Sequence, residues 1–219
     1  HCIYFSFGGP MDLFTHSHLL FRWLHVIAGI TWIGMLYFFN LVNLPLQGTL
    51  DDATKKAVNP QLMPRALWWF RWGAMITFLA GWVLFTLNYM YSPGIGWGPT
   101  NLFSDTEGVT GRALWVMTGM LFGSIMWFNV WFVIWPAQKR ILGLCGTPKA
   151  TPEELPVVRA RAAKFSRINT FLSGPMLFGM LAGPHLGVFN LWNFLVFTTI
   201  AMFAVSGAYK LSANVGKSA

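Results

Sequence analysis

Five apolar runs alternate with polar, turn-rich segments along this chain, and each has the roughly 20 residues that a helix needs to cross a bilayer. They cover about 19–44, 66–91, 112–135, 165–186 and 188–209. Pro45 and the polar stretch QGTLDDATKKAVNPQ end the first run, and a short surface helix is expected to start at Asp51 or Asp52. The second opens on Trp68, Trp69 and Trp72 and closes on Tyr89 and Tyr91, as an interfacial aromatic belt predicts. SPGIGWGPTNLFSDTEGVTG, holding Asp105 and Glu107, reads as a loop. The third run stops at Pro136, and a helix entered at Thr151 or Pro152 leads into the fourth. Gly174-Pro175 is expected to kink the fourth run, and the turn around Gly187 makes the last two runs an antiparallel hairpin. The expectation is an all-α polytopic membrane helix bundle of about five transmembrane helices spanning 19–210, with an N-terminal extracytoplasmic extension at 1–18 and a tail at 211–219.

Composition agrees with the pattern. Hydrophobic residues make up 55% of the chain and charged residues only 10%, with 12 Trp, whereas soluble domains carry about 25% charged residues. The first ten residues, HCIYFSFGGP, lack a basic region and a small-residue cleavage site and do not read as a signal peptide. They precede Met11 either as a gene-start artefact or as an extension whose aromatic rings lie on the membrane surface. Cys2 and Cys145 fall on opposite sides of a five-span topology, which argues against a bridge between them.

The net charge of +8 changes the picture through its placement. Lys55, Lys56, Arg65, Lys139, Arg140, Lys149, Arg159, Arg161, Lys164, Lys210 and Lys217 all fall on one side if the spans alternate. The other side receives Asp12, Asp105 and Glu107, with Arg22 and Arg112 at span ends. The positive-inside rule then puts the N-terminus outside and the C-terminus in the cytoplasm, with membrane lipids rather than nucleic acid as the basic residues' partners.

Candidate chemistry is sparse. His25 lies inside the first run, and an ionisable residue there marks a functional site by default. It reads as a ligand of haem or a metal, helped by Gly29 and Gly34 on the same helix, or as a histidine bonded to a neighbouring helix. His185 closes the fourth run at the same outer side; two histidines from different helices are what an axially ligated haem needs, or half of a copper or zinc site, and His185 reads equally as such a ligand or as an interfacial residue facing solvent. His16 and His18, just outside the first run, could supply further ligands but read more simply as facing water. Arg22, one turn from His25, suits a carboxylate such as a haem propionate, or lipid phosphate. Asn129 sits inside the third run, and Asn40, Asn43, Arg167 and Asn169 gather at the inner ends of the first and fourth, where a structural interhelical network is expected. No CxxCH occurs, which excludes covalent haem c in this chain. HExxH, GxSxG and phosphate-loop motifs are absent, and the seven carboxylates are confined to loops, which argues against carboxylate-based catalysis or proton pumping.

The pieces HVIAGITWIGMLYFFNLVN, MWFNVWFVIWPAQKRIL and SRINTFLSGPMLFGM, with a His shortly beyond, resemble the membrane domain of the bacterial urate hydroxylase family, also labelled urate oxidase N-terminal domain. The resemblance covers the first, third and fourth runs in order. It implies a location in the bacterial inner membrane, oxidation of urate, and transfer of electrons to a cytochrome c that family members carry as a C-terminal domain. The first run also resembles small membrane haem proteins of the copper-resistance D and membrane protoporphyrinogen oxidase types, which implies haem b at His25, with His185 as the matching later histidine. This sequence stops soon after its fifth run without a cytochrome c segment. The resemblance therefore implies a short form that passes electrons to a separate cytochrome c, or an accessory subunit of a larger respiratory or photosynthetic complex.

Overall fold

The structure, a computed structural model, describes residues 13–99, 101–104 and 108–215. Cys2, Asp12, Asp105, Glu107 and Lys217 lie outside the described residues, as does most of the expected N-terminal extension. The helices are α1 (Leu13–Tyr37), α2 (Leu44–Thr49), α3 (Asp52–Phe85), α4 (Gly111–Phe128), α5 (Trp135–Leu142), α6 (Leu155–Leu186) and α7 (Leu191–Ser212). Between α3 and α4 the chain makes two minimal antiparallel hairpins, pairing Tyr91 with Trp97 and Phe103 with Val109.

The chain is an all-α membrane helix bundle. Four helical stretches, Leu13–Thr49, Asp52–Met90, Gly111–Leu142 and Leu191–Ser212, are long and apolar enough to cross a membrane. The fifth long helix, α6, is less apolar; it buries polar side chains, Asn169, Thr170 and Ser173, against the other helices, while Leu177 and Leu181 stay exposed.

The prolines do not end spans as the sequence led us to expect. π-helical turns at Phe38–Asn43 and Asn129–Ile134 precede Pro45 and Pro136, and helix resumes as α2 and α5. A proline has no N–H for the carbonyl four residues back and its ring crowds that carbonyl; the wider turn absorbs the crowding. The carbonyl of Leu41, which Pro45 leaves without its usual donor, accepts from the Ser212 hydroxyl of α7. The expected surface helix at Asp52 is likewise the first part of α3, which continues through Pro60 and Pro64. At Gly174-Pro175, α6 runs unbroken, and Gly174 serves close packing: a Cβ there would sit 2.6 Å from Cβ of Ala201 on α7.

α1 and α3 form one tight antiparallel pair, α4 and α6 a second, and α7 lies against α6. Small residues set both crossings. A Cβ on Gly73 would be 3.1 Å from Trp32 N, and one on Gly179 would be 2.7 Å from Gly119 N, so only glycine lets these backbones approach so closely. Between the pairs the backbones stand farther apart, and side chains of the buried core fill the seam, Trp32, Leu36 and Phe70 from one pair with Met126, Val130 and Met176 from the other, and Phe78 of α3 stacked on Trp127 of α4 at 4.2 Å.

The end of the bundle where α2, α5 and the starts of α3 and α6 meet carries most of the basic side chains. Asp51 caps α3 by accepting from Thr54 N at 2.8 Å and from its hydroxyl at 2.7 Å, and Thr151 and Glu154 bond reciprocally ahead of α6. Arg140, by its hydrogen bond, and then the Thr151 N–H hold the Glu154 carboxyl below its usual range; the Thr54 N–H and then its hydroxyl do the same for Asp51. Because the folded values are depressed, these contributions are complete above the ordinary carboxylate range, about pH 4, and are lost as pH falls through the lower folded values. Both helix starts are therefore expected to fray on acidification below that range. Hydrogen exchange corrected for intrinsic rates checks this, and Glu154→Gln should flatten the response at α6 alone.

Candidate functional site

The seam holds a small, half-open cavity of about 40 Å³ lined from four helices: His25 and Trp32 of α1, Thr77, Phe78, Gly81 and Trp82 of α3, Met120, Gly123 and Ser124 of α4, and Met176 and Met180 of α6. That volume is enough for a water molecule and well below an ordinary ligand pocket.

His25 is half-buried about three turns into α1. Its Nδ1 lies 2.8 Å from the Thr77 carbonyl oxygen. A carbonyl only accepts, so Nδ1 carries the proton and Nε2 keeps its lone pair. Gly81, one turn beyond Thr77 on α3, leaves room for the ring: a Cβ there would lie 3.0 Å from His25 Cε1. An imidazole fixed through Nδ1–H to a backbone carbonyl, with a basic Nε2, is the arrangement that metal-ligating histidines use.

The rest of the seam is polar where it is not apolar. The indole N–H groups of Trp32 and Trp127 are buried without a hydrogen-bond partner, and such orphans are uncommon in settled interiors. Met176 and Met180, one turn apart on α6, and Met120 of α4 present three soft thioethers to the same cavity.

The other sequence candidates are not gathered here. His185 is exposed in the last turn of α6 and does not line the cavity. α1 begins at Leu13, six residues ahead of the expected span start, so measured from helix ends His25 is deeper than His185. Arg22 is exposed on α1. His18, expected to face water, bonds Asn88 of the π-helical turn Thr86–Met90 after α3 at 3.0 Å through Nε2, and His16 is exposed. Gly29 faces Thr77 at 3.8 Å, while Gly34 has open space beside it. Among the described residues no group of three or more His, Cys, Asp or Glu side chains could hold a metal ion.

The asparagines stand apart from the cavity. Asn129 donates to Asn169 Oδ1 at 2.8 Å, and Asn169 donates to the Met126 carbonyl at 2.9 Å. Asn40 donates to the Leu36 carbonyl and to Ser166 Oγ and accepts from Tyr209 OH at 3.0 Å, joining α1, α6 and α7. Leu36 and Met126 lie within the last turn before the π-helical turns, so side-chain amides take up carbonyls where the regular ladder is disturbed. Asn43 receives a bond from Gln47 at 3.2 Å, and the Arg167 guanidinium lies 5.0 Å over the Tyr209 ring.

The sequence and this architecture agree with one known family. The model of the family described as urate oxidase N-terminal matches residues 12–56, 47–97 and 95–211. The chain belongs to that family. No curated protein and no solved structure matches the chain. In this urate oxidase N-terminal chain, sequence reasoning missed the three methionines, Ser124, and Arg71, whose guanidinium lies 4.0 Å over the Trp135 ring. The recurrence of Met176 and Met180 four apart on a glycine-rich helix was the available signal for the first of these; apolar methionines raise no flag in an apolar span.

Proposed function

We propose that this chain is a redox protein of the bacterial inner membrane that takes haem b in the seam between its two helix pairs and passes electrons to a separate partner such as a cytochrome c. The observation that carries this reading is His25, pinned through Nδ1–H to the Thr77 carbonyl with Nε2 left as a donor among soft and aromatic side chains. Bound haem supplies a one-electron couple. The chain's own residues then have separate tasks. Thr77 fixes the tautomer and tilt of His25; Phe78, Trp82 and Trp32 exclude water; the orphaned N–H groups of Trp32 and Trp127 offer hydrogen bonds.

The donor chemistry fits, and the free volume does not yet hold a porphyrin. Binding therefore requires the helix pairs to part along the seam, where the backbones approach less closely than within either pair. Met120, Met176 or Met180 would hold the haem iron beside His25 more readily than His185 would, since those side chains line the cavity and His185 does not. Arg22, one turn before His25, is available to a propionate at the surface. Charge placement supports an orientation with the basic end, where Lys55, Arg140 and Arg159 lie, in the cytoplasm and the start of α1 in the periplasm.

A second reading, a non-catalytic subunit of a larger membrane complex, is favoured by α7, whose apolar face is almost wholly exposed; Trp192 and Phe203 are 75% and 74% accessible. The reduced-minus-oxidised spectrum of the purified full chain, reconstituted with haem b, separates the two. A low-spin b-type difference band is expected, and a folded protein that takes up no haem would overturn the redox reading in favour of the second.

A further inference from the structure

A vestibule of about 950 Å³ opens at the basic end of the bundle, between α2, α3, α5 and α6. Its floor is apolar, formed by Phe39, Leu67, Phe70 and Ile134, and its rim carries Lys55, Lys56, Lys149 and Arg159. Among the described residues the only acid lining it is Asp52, which pairs with Lys55 at 3.8 Å. Lys56, Lys149 and Arg159 make no ion pair among the described residues. The walls are braced: Gln47 and Asn59 exchange two amide hydrogen bonds of 2.9 Å between α2 and α3. Lys149 is folded back over the left-handed Gly143, where a Cβ would meet its Cε at 2.9 Å.

Topology explains why this end is basic but not why these cations converge. The neighbouring cleft, with Arg140 and Arg161, also holds Glu153 and Glu154 and is balanced. The vestibule is not. Lysine and arginine side chains from three separate segments, set over an apolar floor at the end of the spans, match an anion that carries several oxygens on an apolar body. We infer that the vestibule binds a phosphate-bearing anion, delivered as the headgroup of an acidic phospholipid or as a soluble phosphate, with Lys56, Lys149 and Arg159 holding the phosphate.

The test uses the full chain in nanodiscs of phosphatidylcholine with and without phosphatidylglycerol, reading retained lipid by native mass spectrometry. In parallel, inorganic phosphate is titrated in phosphatidylcholine alone, reading the thermal midpoint. Retention of phosphatidylglycerol by the wild type that weakens about thirtyfold in Lys56→Gln/Arg159→Gln supports a lipid headgroup, the factor being what loss of two phosphate-facing cations predicts. Stabilisation by inorganic phosphate that the same variant loses supports a soluble source. The control Arg65→Gln/Lys210→Gln removes equal charge outside the vestibule and should keep either effect. Absence of both effects in the wild type, or equal loss in the control, overturns the inference. If the double variant does not fold, Lys149→Gln alone, in which only the flexible side chain over Gly143 changes, is read by the same criteria.

Discussion

Replacement of His25 by alanine is expected to abolish the b-type difference band of the reconstituted protein while leaving its helix content and elution volume unchanged. Losing an outer-shell partner of a metal ligand costs about 10- to 100-fold in metal affinity; removing the ligand itself should cost more. The rest of the seam would still be present, so residual haem should turn high-spin, and added imidazole should restore part of the low-spin band in His25→Gly by occupying the vacated space. His16→Ala and His185→Ala should leave the spectrum intact, since neither side chain lines the cavity. Equal loss in His185→Ala would place the second ligand at the end of α6 and displace the methionines from that role. A band unaffected by His25→Ala would remove haem from this seam.

Gly179→Val should be the most damaging substitution for the fold itself. A Cβ at Gly179 would lie 2.7 Å from Gly119 N, 2.9 Å from Gly119 Cα and 3.0 Å from the Trp115 carbonyl oxygen, all backbone or held by backbone. Nothing there can swing aside, so α4 and α6 must separate, and the bond between Asn129 and Asn169 depends on the same pair of helices. The expected cost is about 3 kcal/mol or more. It would be seen as a lowered thermal midpoint and aggregation on gel filtration in detergent. Gly34→Ala is the matching control, because no atom lies within 4 Å of its added Cβ and alanine is the better helix former. A Gly179→Val protein as stable as the wild type would show that the α4 and α6 crossing is not as close as described.

Much of the architecture was legible because a bilayer leaves few options. Twenty apolar residues without a backbone partner in lipid must be helical, so the existence and order of the long helices follow from the runs alone. Their ends did not follow. Pro45 and Pro136 read as stops because proline normally breaks the ladder, yet a π-helical turn before each lets the helix resume. That outcome depends on neighbours such as the Ser212 hydroxyl, which reaches Leu41 from far along the chain.

The site divides in the same way. His25 stood out because an imidazole inside an apolar run is costly to place there without a use. Asn40, Asn129 and Asn169 stood out for a related reason, as amides that lipid cannot satisfy, and each has a partner on another helix. Which histidine faces the seam, and that Thr77 rather than a carboxylate orients it, are consequences of how α1 crosses α3 at Gly73. By itself the sequence determined the helices, their membrane setting, their family and the one histidine that lies well inside a span, because those depend on local apolar length and composition. Only the tertiary structure decided that the helices sort into two tight pairs with a seam filled by side chains between them, and that methionines and tryptophan N–H groups share it with His25. Close approach of backbones is set by where glycines from distant segments meet, and no local pattern records that meeting.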